Sequence, residues 1–222
     1  MRPLVILRPE PGAGRTAERA TQMGLTATRC LLFEGRALDW DAPSPDGFDA
    51  LLITSAQTVR LAGPRLALYR ALPAYAVGRA TAAAMEAAGF GRVIAGETDG
   101  TAIAARIAAD GHRSVFLPGG VDTAPIEPGP LTLHRTAVYE MIEMEVGALD
   151  GLIGQGAVLM VHSPRAGRRL AALVPPGRRG NLHVVAISAA AQAACGARWA
   201  SIQAAENPDD DRMLALARRL CE

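Results

Sequence analysis

Two short apolar runs between residues 49 and 89 constrain the fold of this chain more than any other feature. The first reads Ala-Leu-Leu-Ile-Thr-Ser over residues 50–55, and the second reads Tyr-Ala-Val-Gly over residues 75–78. Each run is too short for a helix, and its apolar residues do not alternate with polar ones as in a strand with one solvent-exposed face. It therefore predicts a strand buried on both faces. Each then passes through small or hydroxylated residues into an Ala-rich helical pattern. Such strand–helix units are typical of parallel α/β proteins.

The residues between each predicted strand and its helix indicate a binding edge. A helix that begins there leaves backbone N–H groups unpaired at the carboxyl end of the strand, and these groups attract anions. In parallel sheets the carboxyl ends of the strands meet at one edge, where ligands bind. We therefore predict an anion-binding edge around Ser55 and Gly78, without a strong nucleophile or a metal.

The composition is that of a globular protein, because half of the 222 residues are apolar and the formal net charge is +1. This balance excludes a disordered chain and a protein that coats nucleic acid. The 23 basic residues are all Arg. Each cation is therefore a planar fork that can hold a carboxylate through two hydrogen bonds, and Schiff-base chemistry on a lysine is excluded.

The sequence predicts neither a metal centre nor a membrane span. Cys30, Cys195 and Cys221 are odd in number and widely spaced, and the His residues are scattered. No run approaches the roughly 20 apolar residues that span a bilayer, and the N-terminus does not read as a signal peptide. A dinucleotide fingerprint and a Gly-Lys-Ser/Thr loop are also absent from the sequence. Without a signal peptide or a membrane span, the protein is expected to be cytoplasmic. We also expect a monomer with no membrane or nucleic-acid partner.

The pattern of strands and helices occurs twice, at a nearly constant offset of about 110 residues. Ser55 matches Ser163, and Val77 matches Ile187. The N-terminal strand matches the strand around Val115, which ends the middle series. The two copies are therefore not simply in tandem.

This arrangement predicts a first lobe that is discontinuous in sequence, made of residues 1–33 and 145–222. A second lobe, residues 37–134, is inserted within it. The segments 28–36 and 135–144 connect the lobes, and both have the pattern of extended chain. We expect them to pair as a two-stranded hinge.

Local breakers predict where several elements begin and end. The strand at residues 114–117 is expected to end at Pro118, and the Pro-rich stretch 121–129 reads as a poor helix. Another strand is expected at residues 199–202. The final helix is expected from Asp210 to Cys221, with an acidic start that suits the helix dipole.

Five short motifs follow one another along nearly the whole chain. From the N-terminus they are Leu7-Arg8-Pro9, Thr54-Ser55-Ala56 after Asp49, Ala76-Val77-Gly78 with Thr81-Ala82, Val138-Tyr139, and His162-Ser163-Pro164. In order and spacing they resemble the uroporphyrinogen-III synthase family. The resemblance implies two flavodoxin-like α/β lobes joined by a two-stranded ladder, with the active site in the interlobe cleft. It also implies cyclisation of linear hydroxymethylbilane to uroporphyrinogen III without a cofactor, with inversion of ring D and loss of water.

The resemblance further implies what the site must do. The substrate is a linear tetrapyrrole with eight carboxylates, so the site needs many hydrogen-bond donors, and catalysis rests on orientation within a preorganised polar site. Tyr139 stands where the family has its usual candidate acid for the departing hydroxyl. The substrate-binding residues implied are Arg8, Ser55, Ala56, Gln57, Gly78, Arg79, Thr81, Ser163, Pro164 and Arg165.

Structural interpretations of these residues stay open at this point. Ser55 and Ser163 are typical helix caps, and Tyr139 is a typical strand aromatic. The chain also departs from the family pattern, since residues 117–139 are rich in Pro and Gly and residues 188–191 degrade the second Gly-x-x-Thr-Ala element. The alternative function is a non-catalytic two-lobe protein that binds a small anion or a tetrapyrrole, and a third is a structural or regulatory module without a ligand.

Overall fold

The computed structural model describes residues 2–96 and 98–222, without the side chains at positions 148 and 150. Strands alternate with α-helices, and short 3-10 helices occur at Pro45–Gly47, Pro64–Tyr69 and Pro176–Arg178. The strands are β1 (Leu4–Ile6), β2 (Ala27–Arg29), β3 (Phe33–Ala37), β4 (Ala50–Ile53), β5 (Ala74–Val77), β6 (Val93–Gly96), β7 (Ser114–Gly120), β8 (Thr132–Glu143), β9 (Val158–Val161), β10 (His183–Ala186) and β11 (Ser201–Ala204). The α-helices are α1 (Gly12–Gln22), α2 (Ala56–Leu61), α3 (Arg79–Ala87), α4 (Gly100–Ala109), α5 (Gly147–Gly154), α6 (Pro164–Leu173), α7 (Ala189–Ala194) and α8 (Asp210–Cys221). Within the described residues, none of these helices is long and apolar enough to cross a membrane.

The chain divides into two compact units, Met1–Glu34 with Glu143–Glu222 and Gly35–Ile142. In the first unit, the described strands form one sheet in the order β11-β10-β9-β1-β2, with parallel neighbours. In the second unit the order is β3-β8-β7-β4-β5-β6, and the pairs from β8 to β6 are parallel. The fold is therefore mixed α/β with parallel sheets, as the sequence predicts.

The central strands are buried on both faces, which explains their continuous apolar runs. Every residue of β4 and of β9 is buried. Along β4, Leu51 and Ile53 belong to one apolar cluster, and Ala50 and Leu52 belong to another. Because successive strand side chains point to opposite faces, the sheet of the second unit has an apolar core on each face. Helices and their connections cover both cores from water.

The two sheets share one strand order when equivalent strands are matched. Matching β1 with β7, β9 with β4, and β10 with β5 gives β10-β9-β1-β2 in the first sheet and β5-β4-β7-β8 in the second. Val5 and Val115 then lie on equivalent strands, and Ser163 and Ser55 directly follow equivalent strands. The strand order thus agrees with the repeat read from the sequence.

Two strand boundaries differ from the prediction. β7 continues past Leu117 to Gly120 because β8 pairs with it that far, with Pro118 opposite Thr136 and Gly120 opposite Tyr139. The other neighbour, β4, pairs with β7 only at Val115 and Phe116, so the missing N–H of Pro118 interrupts no ladder on that side.

The second difference is that β11 begins at Ser201 and not at residue 199. The indole of Trp199 donates a hydrogen bond from Nε1 to the carbonyl oxygen of Cys195 at 3.0 Å. Its ring also lies 4.7 Å below the guanidinium of Arg179. These contacts hold Trp199 at the end of α7, so it does not join the strand.

Gly167 lies where α6 packs against α7. A Cβ at this position would lie 2.9 Å from the carbonyl oxygen of Ala191 and 3.1 Å from Sγ of Cys195. We expect Gly167→Ala to lower the free energy of unfolding by about 2 kcal/mol, because a backbone carbonyl and a buried side chain must move. Denaturant unfolding measures the change. The control is Gly151→Ala in α5, where a Cβ meets open space and stability should be unchanged or slightly higher; equal losses in both variants would contradict the packing argument.

Candidate active site

Three helices of the second unit begin at the carboxyl edge of its sheet. Ser55 caps α2, and its Oγ accepts a hydrogen bond from the backbone N–H of Gln57 at 3.2 Å. Gly78 caps α3 with φ at 80°, a conformation that favours glycine. Asp99 caps α4 and accepts from the backbone N–H of Ala102 at 2.9 Å. Since β4, β5 and β6 are parallel neighbours, these helix starts share one edge, where further N–H groups are available to an anion.

A cavity of about 440 Å³ opens at this edge. Among the described residues, its polar lining consists of the hydroxyl groups of Thr54, Ser55, Thr98, Thr101, Thr123 and Tyr139 and the carboxylates of Asp99 and Asp122. The loop 122–126 forms part of the wall, together with the aromatic side chain of Tyr139. Hydroxyl groups donate hydrogen bonds to carboxylates and can reorient to suit them, whereas the two carboxylates accept hydrogen bonds. The hydroxyl groups of the cavity can therefore bind a carboxylate of a ligand, and its two carboxylates can accept from N–H groups of a ligand.

The side chain of Tyr139 packs against a glycine on the neighbouring strand. Tyr139 lies on β8 opposite Gly120, beside a register shift between Gly119 and Gly120. A Cβ at Gly120 would lie 2.9 Å from Cζ and 3.1 Å from Oη of Tyr139. The side chain of Tyr139 is buried, and no described residue forms a hydrogen bond with its hydroxyl. A phenol that lines a cavity and is held by packing alone can donate a proton to a ligand.

A second concavity, of about 420 Å³, lies at the ends of β5 and β6. It is lined by Gly78, Arg79, Ala95 and Gly96. Small residues leave backbone groups accessible there, and Arg79 is exposed beside them. This concavity suits an anionic group that contacts backbone and a guanidinium.

The structure brings some of the predicted residues of the second unit together and leaves others apart. Ser55 and Tyr139 line the larger cavity, and Gly78 and Arg79 line the second concavity. Ala56 and Gln57 form the first turn of α2, and Thr81 is buried in α3. Ala56, Gln57 and Thr81 are not among the described residues that line the two spaces.

The predicted residues of the first unit lie at two places. Ser163 caps α6, with Oγ accepting from the backbone N–H of Ala166 at 3.1 Å, and Pro164 is the first residue of that helix. The Arg165 guanidinium lies 4.6 Å above the ring of Phe33. Arg8 follows β1 and points into a separate polar cluster. Their contact with substrate stays a prediction.

Arg8 belongs to a cluster centred on the carboxylate of Asp210. Nη1 of Arg8 donates to both carboxylate oxygens at 3.0 Å, and the hydroxyl of Thr16 donates to Oδ2 at 2.7 Å. His162 Nε2 lies 3.2 Å from Oδ1, in a geometry short of a well-aligned hydrogen bond. The carboxylate thus connects the start of α8 with α1 and with the ends of β1 and β9. It occupies the guanidinium that the resemblance assigns to substrate.

The protonation states in this cluster follow from burial and partners. Burial alone raises the pKa of Asp210, but the close contact of His162, the hydrogen bond from Thr16 and the charge of Arg8 outweigh it and lower the pKa to about 2. Burial lowers the pKa of His162 despite its carboxylate neighbour. His162 is therefore neutral at pH 7, and Asp210 is ionised.

Thr98 and Thr101 of the cavity were not predicted from the sequence. Thr98 lies two residues after β6, as Ser55 lies two residues after β4, so the same rule of small or hydroxylated residues after a strand would have found it. Thr101 lies in the first turn of α4. The role of Asp210 was not predicted either. Its acidic position at a helix start was visible in the sequence, but its partner Arg8 lies at the other end of the chain.

The fold is that of a parallel α/β protein, with hydroxyl groups and helix starts at the carboxyl edge of the second unit's sheet. In the part of the chain that the structure describes, no group of three or more His, Cys, Asp or Glu side chains could hold a metal ion. The chain belongs to the uroporphyrinogen-III synthase family: the model of the family described as uroporphyrinogen-III synthase HemD matches residues 15–215. A comparison with curated protein sequences gave no significant match.

Solved structures of this family share the fold. Uroporphyrinogen-III synthetase from Helicobacter pylori superposes with a TM-score of 0.70 at 16% identity, covering 99% of this chain and 100% of the other. A mutant uroporphyrinogen III synthase from the extremely thermophilic bacterium Thermus thermophilus gives a TM-score of 0.55 at 16% identity, covering 99% of each chain. At such low identity these similarities show that the fold is shared. They do not show which residues of this chain form the site.

The Asp210 cluster predicts a loss of stability with a characteristic pH dependence. We expect Asp210→Asn to lower the free energy of unfolding at pH 7 by about 3 kcal/mol, because it leaves Arg8 without its buried counter-charge. The folded-state pKa of Asp210 lies below the ordinary 3.8, so the stabilisation is present above pH 4 and is lost as pH falls toward 2. The difference between parent and variant should therefore shrink over that window.

Denaturant unfolding between pH 2 and pH 7 measures this prediction. The matched control is Asp211→Asn, which removes an exposed carboxylate paired with Arg19 and should cost less than about 1 kcal/mol. A pH-independent difference for Asp210→Asn would show that the carboxylate does not titrate as the cluster requires.

Proposed function

We propose that this chain catalyses the uroporphyrinogen-III synthase reaction, the cyclisation of linear hydroxymethylbilane with inversion of ring D and loss of water. The observation that carries the proposal is the family match over residues 15–215. The enzyme is then a cyclising lyase of tetrapyrrole biosynthesis. The same match favours this function over the non-catalytic binding protein that the sequence left open.

The cavity of the second unit is the proposed reaction site. The substrate carries carboxylates around an apolar pyrrole framework, and the cavity combines hydroxyl donors with Val77, Ile126 and the ring of Tyr139. The proposed work of the protein is to fold the flexible chain so that the two reacting ends meet. Such orientation, together with fixed donors, supplies much of the catalysis in sites without a nucleophile.

Tyr139 is the proposed acid. Protonation of the terminal hydroxyl by the phenol allows it to depart as water, and the remaining carbocation is attacked by a pyrrole carbon through the spiro intermediate that the family implies. The phenolate recovers a proton from a pyrrole carbon when aromaticity is restored. The hydroxyl of Tyr139 has no hydrogen-bond partner among the described residues, and the side chain lies in the cavity wall; both observations support this role.

Further parts of the proposal concern binding and organisation. Ser55, Gly78 and Arg79 are proposed to bind carboxylates, with Ala56, Gln57 and Thr81 of the neighbouring helix starts and with Arg8, Ser163, Pro164 and Arg165 of the first unit. Residues 1–33 with 145–222 and residues 37–134 are the proposed lobes, and segments 28–36 and 135–144 the proposed hinge. The protein is proposed to act as a cytoplasmic monomer without a cofactor, metal, nucleic acid or membrane.

An isomer assay tests the function. Hydroxymethylbilane is supplied with and without the purified chain, and the cyclic products are oxidised and separated by chromatography. We expect the type III isomer to predominate with the protein and the type I isomer without it. Formation of the type I isomer alone in both samples would contradict the proposed function.

Tyr139→Phe tests the acid. We expect kcat to fall by about 100-fold or more, the usual contribution of a general acid. The free energy of unfolding should change by less than about 1 kcal/mol, because no hydrogen bond to the described residues is lost. The control is Tyr69→Phe, which removes a 2.7 Å hydrogen bond to the carbonyl oxygen of Pro43 and should reduce stability with kcat unchanged. Equal kcat values for Tyr139→Phe and the parent would remove Tyr139 from the mechanism.

A further inference from the structure

A small cavity in the first unit is lined by arginines of one helix. It has a volume of about 220 Å³, and its lining among the described residues consists of Phe33, Glu143, Arg165, Arg168, Arg169 and Ala172. The three arginines occupy positions i, i+3 and i+4 of α6, which place them on one face of the helix. Among these described lining residues, Glu143 supplies a carboxylate, and it pairs with Arg169.

The guanidinium groups of this cavity are held by different contacts. Arg165 lies 4.6 Å above the buried ring of Phe33, which fixes its plane by a cation–π contact. Nη1 of Arg169 pairs with Oε2 of Glu143 at 2.8 Å. Nε of Arg169 is buried and has no hydrogen-bond partner among the described residues. The arginine that is already paired therefore still lacks an acceptor, and an unpaired buried donor is costly.

We propose that this cavity is a carboxylate subsite, in which Arg168 and Arg169 bind one acetate or propionate arm of the tetrapyrrole substrate. The inference rests on the proposed function for the identity of the ligand. Arginine forks bind carboxylates through paired hydrogen bonds. A bound arm supplies an acceptor for Nε of Arg169, which has none among the described residues. Glu143 is exposed on its outer side and competes for Arg169 until the arm arrives.

This assignment predicts opposite effects for the two partners of one ion pair. Arg169→Gln removes a ligand to the arm, and we expect it to weaken binding roughly tenfold, with Arg168→Gln having a similar effect. Glu143→Gln removes the competitor, and we expect it to tighten binding severalfold. If the ion pair were merely structural, both variants would lose stability, and they would not change the binding constant in opposite directions.

The experiment measures binding of uroporphyrin III, a stable octacarboxylate, by fluorescence titration, and KM and kcat with hydroxymethylbilane for the same variants. We expect KM to change in the same directions as the binding constant, with kcat nearly unchanged. Arg212→Gln, an exposed arginine on α8, is the charge-matched control and should change neither. Unfolding midpoints of all variants identify any loss that comes from folding, and Glu143→Gln keeps the test decisive if Arg169→Gln is unstable.

Failure of the subsite and failure of the proposed function give different results. Normal turnover with KM unchanged in the Arg168, Arg169 and Glu143 variants would overturn the subsite and leave the function standing. Absence of turnover, with porphyrin binding that still weakens in Arg169→Gln and tightens in Glu143→Gln, would overturn the function and keep the cavity as a carboxylate site.

Discussion

The structure depends on one constraint, the burial of short parallel strands on both faces. A strand such as β4 can be covered on both sides only if helices return the chain across the sheet, so each strand runs directly into a helix start. Several helix starts then share the carboxyl edge of one sheet, with backbone N–H groups that the helices cannot use. The core thus creates the binding edge, and the residues just after each strand determine what the edge can bind.

Capping and ligand binding are compatible at this edge, although the sequence presents them as alternatives. The Oγ of Ser55 accepts a hydrogen bond from the helix start and keeps its own O–H to donate to an anion. The same holds for Ser163. Asp99 caps α4 equally well, but its side chain takes part in the cap as an acceptor and lacks the hydroxyl donor of Ser. The choice of Ser over Asp at a cap therefore carries information about the ligand as well as about the helix.

What the sequence predicts well is what is local. The buried strands, the helix starts and the caps at Ser55 and Ser163 follow from neighbouring residues, and the strands that the repeat matches hold equivalent places in the two sheets. What it missed requires distant partners. β7 continues through Pro118 because β8 lies beside it, and Arg8 pairs with Asp210 across most of the chain. Neither periodicity nor local composition can report on such pairings, since the partners meet only after the sheets have formed.

A chain in which every cation is Arg also shows how structural and ligand-binding guanidinium groups can be told apart. Arg179 is buried, stacks on Trp199 and donates to three carbonyl oxygens, those of Val174, Ala197 and Ala171. Each of the three nitrogens of its guanidinium donates to a carbonyl oxygen of the protein, so Arg179 stabilises the first unit. Arg169 is also partly enclosed, but its Nε has no acceptor among the described residues, and Arg168 lines the same cavity. A buried donor without an acceptor lowers the stability of the folded protein. A ligand that supplies the acceptor removes this loss. The two roles are separated by whether each guanidinium nitrogen has an acceptor within the described protein, and not by the charge or the exposure of the side chain.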